Sequence, residues 1–208
     1  MEILLQTVLS TIEIAVFQDK QLVFRKQSPS LQKSNNTVVY DLQNMLQNRG
    51  LPLSRIRRFW FVNGPGYYTG IRIGLSIAKA FSDTTSIPIR LITTFHWLRM
   101  GIPPSTERCC IFIPSSKKEG YLARMHHFSV ESVQCIEKEQ MEKDYHSNVL
   151  QEPLFVPFGG LDVSIPYAPV GDITTLPLDY KDVITSQTIE PEYIKSVDDL
   201  FQNRKECG

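Results

Sequence analysis

The sequence predicts an α/β protein of two small lobes, in which mixed sheets are flanked by helices. Strand-like and helix-like segments alternate over the first hundred residues, and a glycine with paired prolines interrupts the pattern at 101–107. Short strand-like segments then return. We therefore expect an N-terminal lobe at 1–103 and a smaller, degenerate C-terminal lobe with an irregular tail at 104–208.

The first elements are strands. Residues 2–8 are mostly apolar, and residues 11–17 alternate, so that Ile12, Ile14 and Val16 share one face and predict a half-buried strand. A polar turn then leads to residues 22–26, which we expect to complete a hairpin.

A helix follows at 36–50, where Asn36 or Thr37 can cap the start and Gly50 ends the pattern. Its predicted apolar stripe consists of Val38, Val39, Leu42, Met45 and Leu46. Residues 58–62 are almost wholly apolar, as expected of a strand that is covered on both faces.

A second helix, a strand at 87–93 and a short helix ending at Gly101 complete the first lobe. Three antiparallel strands, helix, strand, helix and strand is the order of the ribonuclease-H-like lobe, which actin and the sugar kinases share. Beyond the boundary we expect two strands joined by a turn with Lys117 and Lys118, a charged helix at 137–150 and a strand at 153–160.

Composition limits the function. Lysine and arginine number 22 and aspartate and glutamate 22, so the basic excess of a free-standing nucleic-acid binder is missing. No apolar run reaches the roughly 20 residues that span a bilayer, and we expect a cytoplasmic protein. Cys109, Cys110, Cys135 and Cys207 share no CxxC spacing and are expected to be buried free thiols. No metal site is predicted.

The loop Gly64-Pro65-Gly66-Tyr67-Tyr68-Thr69-Gly70 resembles a phosphate-binding loop. It lacks the lysine of a P-loop and is one residue too long for a dinucleotide fingerprint. Two interpretations remain open. Thr69 caps the next helix and the N–H groups of Gly70 and Ile71 bind an anion, or the glycines serve a turn that needs positive φ at Gly64 or Gly66.

The helix that starts at Gly70 has a narrow polar stripe of Arg72, Ser76, Lys79 and Asp83. Because its other positions are apolar, we expect cover on two sides, by its own sheet and by a second helix of this chain or of a partner. The small residues Gly70, Gly74 and Ala78 recur every four positions, and we expect them to form a groove for that second helix. The alternative is an internal helix in one large core.

The stretch GPGYYTGIRIGLSIAKAF resembles the signature of the TsaB (YeaZ) family, GPGSFTGLRIGLATAKGLA. Positions that match are Gly64, Pro65, Gly66, Thr69, Gly70, Arg72, Ile73, Gly74, Leu75, Ala78 and Lys79. Residues 1–100 carry the resemblance, while 101–208 carry only echoes such as KKEGY and PEYIKS.

The resemblance implies an actin-like ATPase fold and a non-catalytic subunit. Such a subunit pairs with a TsaD-type catalytic subunit and acts with a TsaE-type ATPase in the threonylcarbamoyl modification of the adenosine beside the tRNA anticodon. It implies no cofactor bound by this chain alone, with ATP or ADP and a divalent metal expected only in the partner subunits, and a homodimer when the chain is alone. Expected interface residues are Gly64, Pro65, Gly66, Thr69, Gly70, Arg72, Ile73, Gly74, Ile77, Ala78 and Phe81.

The chain also departs from the family pattern. Gln6-Thr7-Val8 stands where the family has Asp-Thr-Ser after the first strand, Tyr67-Tyr68 replaces Ser-Phe, and Lys33-Ser34-Asn35 replaces His-Ser. The loss of the carboxylate disfavours an independent nucleotide site in this chain. Together these departures predict that the chain is a divergent member of the family.

Two other functions are considered. A stand-alone ATPase or kinase of the actin-like class needs acidic residues for magnesium, but the first strand pair offers only Glu2 and Glu13. A homodimeric interaction protein without an enzyme partner is the other alternative. His96 and His146 are isolated, and His126 and His127 are expected to face opposite ways on a strand.

Overall fold

The computed structural model describes residues 1–19, 21–29 and 37–157. The first sheet has the order β3-β2-β1-β4-β5, antiparallel between β1, β2 and β3 and parallel between β1, β4 and β5. Its strands are β1 (Glu2–Gln6), β2 (Thr11–Gln18), β3 (Gln21–Pro29), β4 (Arg58–Val62) and β5 (Ile89–Ile92). This arrangement confirms the predicted fold class.

Helices α1 (Thr37–Asn48) and α2 (Tyr68–Thr85) pack on one face of this sheet. Within α1 the predicted stripe is correct for Val38, Leu42 and Met45, which are buried. It is wrong for Val39, whose side chain is 56% exposed because it lies on the solvent side of the helix. The Asn36 cap lies outside the described residues.

The opposite face of the first sheet is also buried. Leu4, Ala15 and Trp60 pack there against α3 (Thr94–Arg99) and against the second sheet. The prediction of a half-buried β2 is therefore wrong: Phe17 is buried on this face as Ile14 is on the other. One apolar cluster, which includes these residues, joins the two sheets.

The second sheet has the order β8-β7-β6-β9, which repeats the order β3-β2-β1-β4 of the first. Its strands are β6 (Arg108–Pro114), β7 (Glu119–His126), β8 (Ser129–Glu137) and β9 (Leu154–Phe155). The pairing is antiparallel among β6, β7 and β8 and parallel between β6 and β9. Helix α4 (Lys138–His146) precedes β9, as predicted, whereas β8 was not predicted.

Three cysteines fall in the described part of the chain, and all are free thiols. Cys109 and Cys110 are buried on opposite faces of β6, as predicted, and burial raises the pKa of Cys110 to about 12. Cys135 is exposed on the edge strand β8, so the prediction of burial is wrong there. Cys207 lies outside the described residues.

The lobe boundary at 103 stays a prediction, and the expected tail after 157 lies outside the described residues. None of the described helices combines the length and apolar character that crossing a membrane requires.

Candidate functional site

The glycine loop after β4 lies against the turn that joins β1 to β2. The N–H of Tyr67 donates to the carbonyl oxygen of Val8 at 2.8 Å. A Cβ on Gly66 would lie 2.3 Å from that same oxygen, so only glycine fits. Gly64 has a φ of 122°, which supports the turn interpretation at this position. The loop therefore closes on its own chain.

Helix α2 begins differently from the prediction. Tyr67 is the N-cap residue and forms no side-chain cap, while Thr69 already lies inside the helix. The N–H of Ile71 donates to the carbonyl of Tyr67 at 3.1 Å, and Ile71 is 2% exposed. Of the two open interpretations, the anion site with a Thr69 cap and a free Ile71 N–H is therefore wrong.

The small residues of α2 face the chain's own sheet. A Cβ on Gly70 would lie 2.0 Å from the carbonyl oxygen of Thr7, and one on Gly74 would lie 2.2 Å from Oγ1 of Thr7 and 2.5 Å from the ring of Phe61. Ala78 is fully buried in the core beneath the helix. The predicted groove for a second helix is wrong, because the turn after β1 and the ring of Phe61 in β4 occupy that space.

A first prediction follows from this close approach. Replacing Gly70 with alanine places Cβ against backbone atoms of Thr7, which cannot rotate away, so the helix must shift. We expect a loss of about 2 to 3 kcal/mol in the free energy of unfolding, measured by urea denaturation. Ser76→Ala, on the exposed side of the same helix, is the control and should change it by less than about 0.5 kcal/mol. Equal effects of the two variants would contradict the packing described.

The hydroxyl of Thr7 also joins the loop to the helix. It donates to the carbonyl oxygen of Gly70 at 2.7 Å. Sequence reasoning missed this bond because the partners lie 63 positions apart. Its one signal was that Thr7 keeps the family's threonine between two replaced neighbours.

The residues that replace the family's acidic strand end are used internally. The side-chain amide of Gln6 donates to the carbonyl of Thr11 at 3.2 Å and its oxygen accepts from the N–H of Leu9 at 3.1 Å. Glu13 is 1% exposed and forms an ion pair with Arg25 at 3.2 Å.

Desolvation by burial raises the pKa of the Glu13 carboxyl, although Arg25 and the Gln27 amide act in the opposite direction. Glu2 forms an ion pair with Arg58 at 2.8 Å. Both carboxylates of the first strand pair thus have partners within the chain.

The outer side of α2 is the exposed part of the predicted interface. We call it the α2 outer face; it consists of Tyr68, Thr69, Arg72, Ile73, Ser76, Ile77 and Ala80. Five of these residues line a shallow hollow of about 300 Å³, namely Tyr68, Thr69, Arg72, Ile73 and Ser76. The guanidinium of Arg72 lies 5.5 Å from the centre of the Tyr68 ring. The exposed side is wider than the four-residue polar stripe predicted.

The remaining predicted interface residues are placed elsewhere. Phe81 is half-buried and stacks against Phe59 with ring centres 4.8 Å apart. Pro65 is buried in the loop. The motif therefore splits into an inner part that packs on the chain's own sheet and an outer part that is open to a partner.

Helix α3 holds the turn between β7 and β8. The guanidinium of Arg99 is 2% exposed and donates to three carbonyl oxygens, those of His127 at 2.7 Å, Ile102 at 3.1 Å and Thr106 at 2.6 Å. Nε2 of His96 lies 2.8 Å from the carbonyl oxygen of Phe128. We call Arg99, His96 and these acceptors the α3 clamp, and it fastens the second sheet to the first lobe.

His96 therefore differs from the isolated residue that was predicted. Burial lowers the pKa of His96, and the hydrogen bond to the Phe128 carbonyl acts in the opposite direction. His126 and His127 also differ from the prediction. Their ring centres lie 4.7 Å apart, because His127 has left the strand with a φ of 52°.

The His96 pKa gives a second prediction. A pKa that is lower in the folded than in the unfolded state means that unfolding takes up a proton as the pH falls through about 6.5. The free energy of unfolding should therefore decrease from pH 7.5 to pH 5.5, as urea titrations at both pH values would record. In His96→Gln the decrease should be smaller. The exposed His146→Gln is the control and should retain the full decrease; an unchanged pH dependence in His96→Gln would refute the assignment.

The described residues include no group of three His, Cys, Asp or Glu side chains arranged to hold a metal ion. The site offered by this fold is thus a surface with a hollow, flanked by a closed loop. Fold and site together define a protein of two mixed sheets flanked by helices, in which Glu2 and Glu13 are engaged within the chain.

Comparisons with known proteins identify the family of the chain. Residues 32–140 match the family described as TsaD: tRNA N6-adenosine threonylcarbamoyltransferase, and the chain belongs to this family. The sequence predicted a relation to the TsaB (YeaZ) family. Membership of this family and a fold shared with YeaZ structures confirm that relation.

Two solved structures share the fold. YeaZ from Pseudomonas aeruginosa superposes with a TM-score of 0.56 at 16% identity, over 65% of this chain and 66% of that one. A protein described as uncharacterized, with similarity to peptidase YEAZ from Pseudomonas aeruginosa, reaches a TM-score of 0.68 at 15% identity, over 93% and 99% of the two chains.

A relative in sequence comes from Mycoplasma pneumoniae and is described as an uncharacterized protein, MG208 homolog. It is 29% identical over 87 residues, which are 42% of this chain and 43% of that relative. The matched stretch therefore spans less than half the length of the relative.

Proposed function

We propose that this chain is a non-catalytic subunit of a tRNA threonylcarbamoyl-modifying complex and acts in the cytoplasm. On this proposal it pairs with a TsaD-type transferase through the α2 outer face, and a TsaE-type ATPase and tRNA join the assembly. Membership of a tRNA-modifying family supports the pathway. The observation that carries the subunit role is the exposed α2 outer face directly beside a loop that closes on its own chain.

The chemistry of the loop supports a role without catalysis. The Tyr67 N–H, which a phosphate would need, is bonded to Val8, and β1 ends in Gln6 instead of a carboxylate. Both Glu2 and Glu13 are paired within the chain. We propose that ATP or ADP and a divalent metal bind in the partner subunits and not to this chain alone.

The surface also suits a second copy of the chain. A self-complementary α2 outer face would form a two-fold homodimer when no partner is present. Arg72 is exposed in the hollow, where it can meet a carboxylate of the partner.

The test is threonylcarbamoyl transfer to tRNA in vitro, with the transferase and the ATPase present and this chain added or omitted. We expect modification to require the chain. Mass measurement by size-exclusion chromatography should show a complex with the transferase and, for the chain alone, a dimer. Modification that proceeds equally without the chain, or a transferase that stays unbound, would contradict the proposal. Nucleotide titration of the isolated chain in a calorimeter should give no heat, whereas heat would favour the stand-alone ATPase or kinase.

A further inference from the structure

An apolar groove lies at the other end of the first lobe, where α1 ends. We call it the α1 groove; it has a volume of about 490 Å³ and is lined by Gln43, Leu46, Gln47, Gly50, Leu51, Pro52 and Leu53. Leu53 is 46% exposed at its rim. The α2 outer face begins at the opposite end of the lobe, beside the carboxyl ends of β1 and β4, whereas this groove lies beside the start of β4.

The walls of the α1 groove are held by backbone hydrogen bonds. Gly50, with a φ of 56°, donates its N–H to the carbonyl of Gln47 at 3.0 Å, and the N–H of Leu51 donates to that of Leu46 at 2.9 Å. These two bonds form the usual glycine-ended helix terminus. Pro52 leads into a 3₁₀ turn (Leu53–Arg55) that has no buried residue. The groove is thus pre-formed, which lowers the entropy lost when a ligand binds.

The segment that builds the groove is positively charged. Residues 42–58 contain four arginines and no aspartate or glutamate, in a chain whose net charge is +0. Arg58 is paired with Glu2, but Arg55 and Arg57 are exposed. Arg49 is exposed beside Gly50, with its guanidinium 4.8 Å from the centre of the Phe24 ring.

The nearest acidic residue along the chain before this segment is Asp41. Its carboxylate is bonded to Nζ of Lys26 at 2.7 Å and to the hydroxyl of Ser28 at 3.4 Å. It is therefore engaged with β3, and the arginines that flank the lining residues of the α1 groove in sequence are not neutralised by their own segment.

An apolar groove whose lining residues are flanked in sequence by exposed arginines suits one kind of partner. Leucine and proline side chains accept apolar side chains, while the arginines attract carboxylates. RNA fits the groove less well, because none of the described residues that line it has an aromatic side chain on which a base could stack. We propose that the α1 groove binds a protein segment that carries leucine-like side chains flanked by aspartate or glutamate.

The proposal can be tested with the full chain and a phage-displayed library of random dodecapeptides. We expect enrichment of peptides in which acidic residues flank apolar ones. Binding of a synthetic enriched peptide, measured by fluorescence anisotropy, should weaken by about tenfold or more in Leu53→Asp and in Arg57→Glu. Val149→Asp and Lys117→Glu are matched controls at exposed positions of the second lobe and should bind as the unaltered chain does.

Thermal unfolding of each variant checks that the fold is retained, and Leu53→Ser replaces Leu53→Asp if the latter unfolds. Three results would overturn the proposal: no enrichment of acidic apolar peptides, peptide binding that Leu53 and Arg57 variants leave unchanged, or displacement of the peptide by oligouridylate at lower concentration than by unlabelled peptide. The last would assign the arginines to nucleic acid. The α2 outer face plays no part in this experiment, so its outcome is independent of the proposed subunit role.

Discussion

Replacing Ser76 by arginine is expected to weaken the proposed binding of the TsaD-type transferase strongly. Ser76 lines the hollow of the α2 outer face beside Ile73 and Arg72. A long charged side chain there would fill the hollow and add a second positive charge next to Arg72. Both charges would lose water when the transferase binds, which costs free energy. We expect affinity to fall by about a hundredfold or more, measured by interferometry with immobilised transferase.

The matched control is Gln134→Arg, which adds the same side chain at an exposed position of β8 in the second lobe. It should bind the transferase normally. Both variants should unfold at nearly the same temperature as the unaltered chain, because neither position is buried. If Ser76→Arg retains full affinity, the α2 outer face is not the interface, and the proposed subunit role is contradicted.

Arg99→Ala is expected to give the largest loss of stability. The alanine leaves three carbonyl oxygens, those of Ile102, Thr106 and His127, without their donor in a buried place. We expect a loss of about 3 to 5 kcal/mol in the free energy of unfolding, because unpaired buried polar groups retain their full desolvation cost. The midpoint temperature of thermal unfolding should fall by about 10 °C or more.

Arg108→Ala provides the comparison, since Arg108 forms an exposed ion pair with Glu131 at 3.1 Å. Its removal should cost less than about 1 kcal/mol. Arg99→Lys should recover only part of the loss, because a lysine cannot reach three carbonyls with one planar group. A small effect of Arg99→Ala would mean that the α3 clamp does not hold the second sheet to the first lobe.

The sequence was sufficient for the fold class and for most elements, because strand and helix periodicities were strong where both faces are buried. The sequence-based prediction was wrong where the exposure of a side chain depends on its position in the tertiary structure. Val39 has the same apolar character as Val38, yet one turns to solvent and the other to the core. Strand β8 was missed because it is an edge strand with mostly exposed side chains, and its polar residues hide the alternation.

The site was predictable as a motif but not as an arrangement. A row of small residues indicates that another segment packs closely against the helix, but it does not identify that segment. Here the closely packed residues are Thr7 and Phe61 of the same chain. The α3 clamp left no sequence signal, since Arg99 and His96 bond to backbone carbonyls that any residue would offer. Such contacts become visible only when the two sheets are placed together.

The repeated strand order of the two sheets makes their first hairpin turns topological counterparts. The turn between β1 and β2 corresponds in this sense to the turn between β6 and β7. Their surroundings differ in the present structure. The turn between β1 and β2 is hydrogen-bonded to Tyr67 and Gly70. The turn between β6 and β7, with Lys117 and Lys118, is exposed.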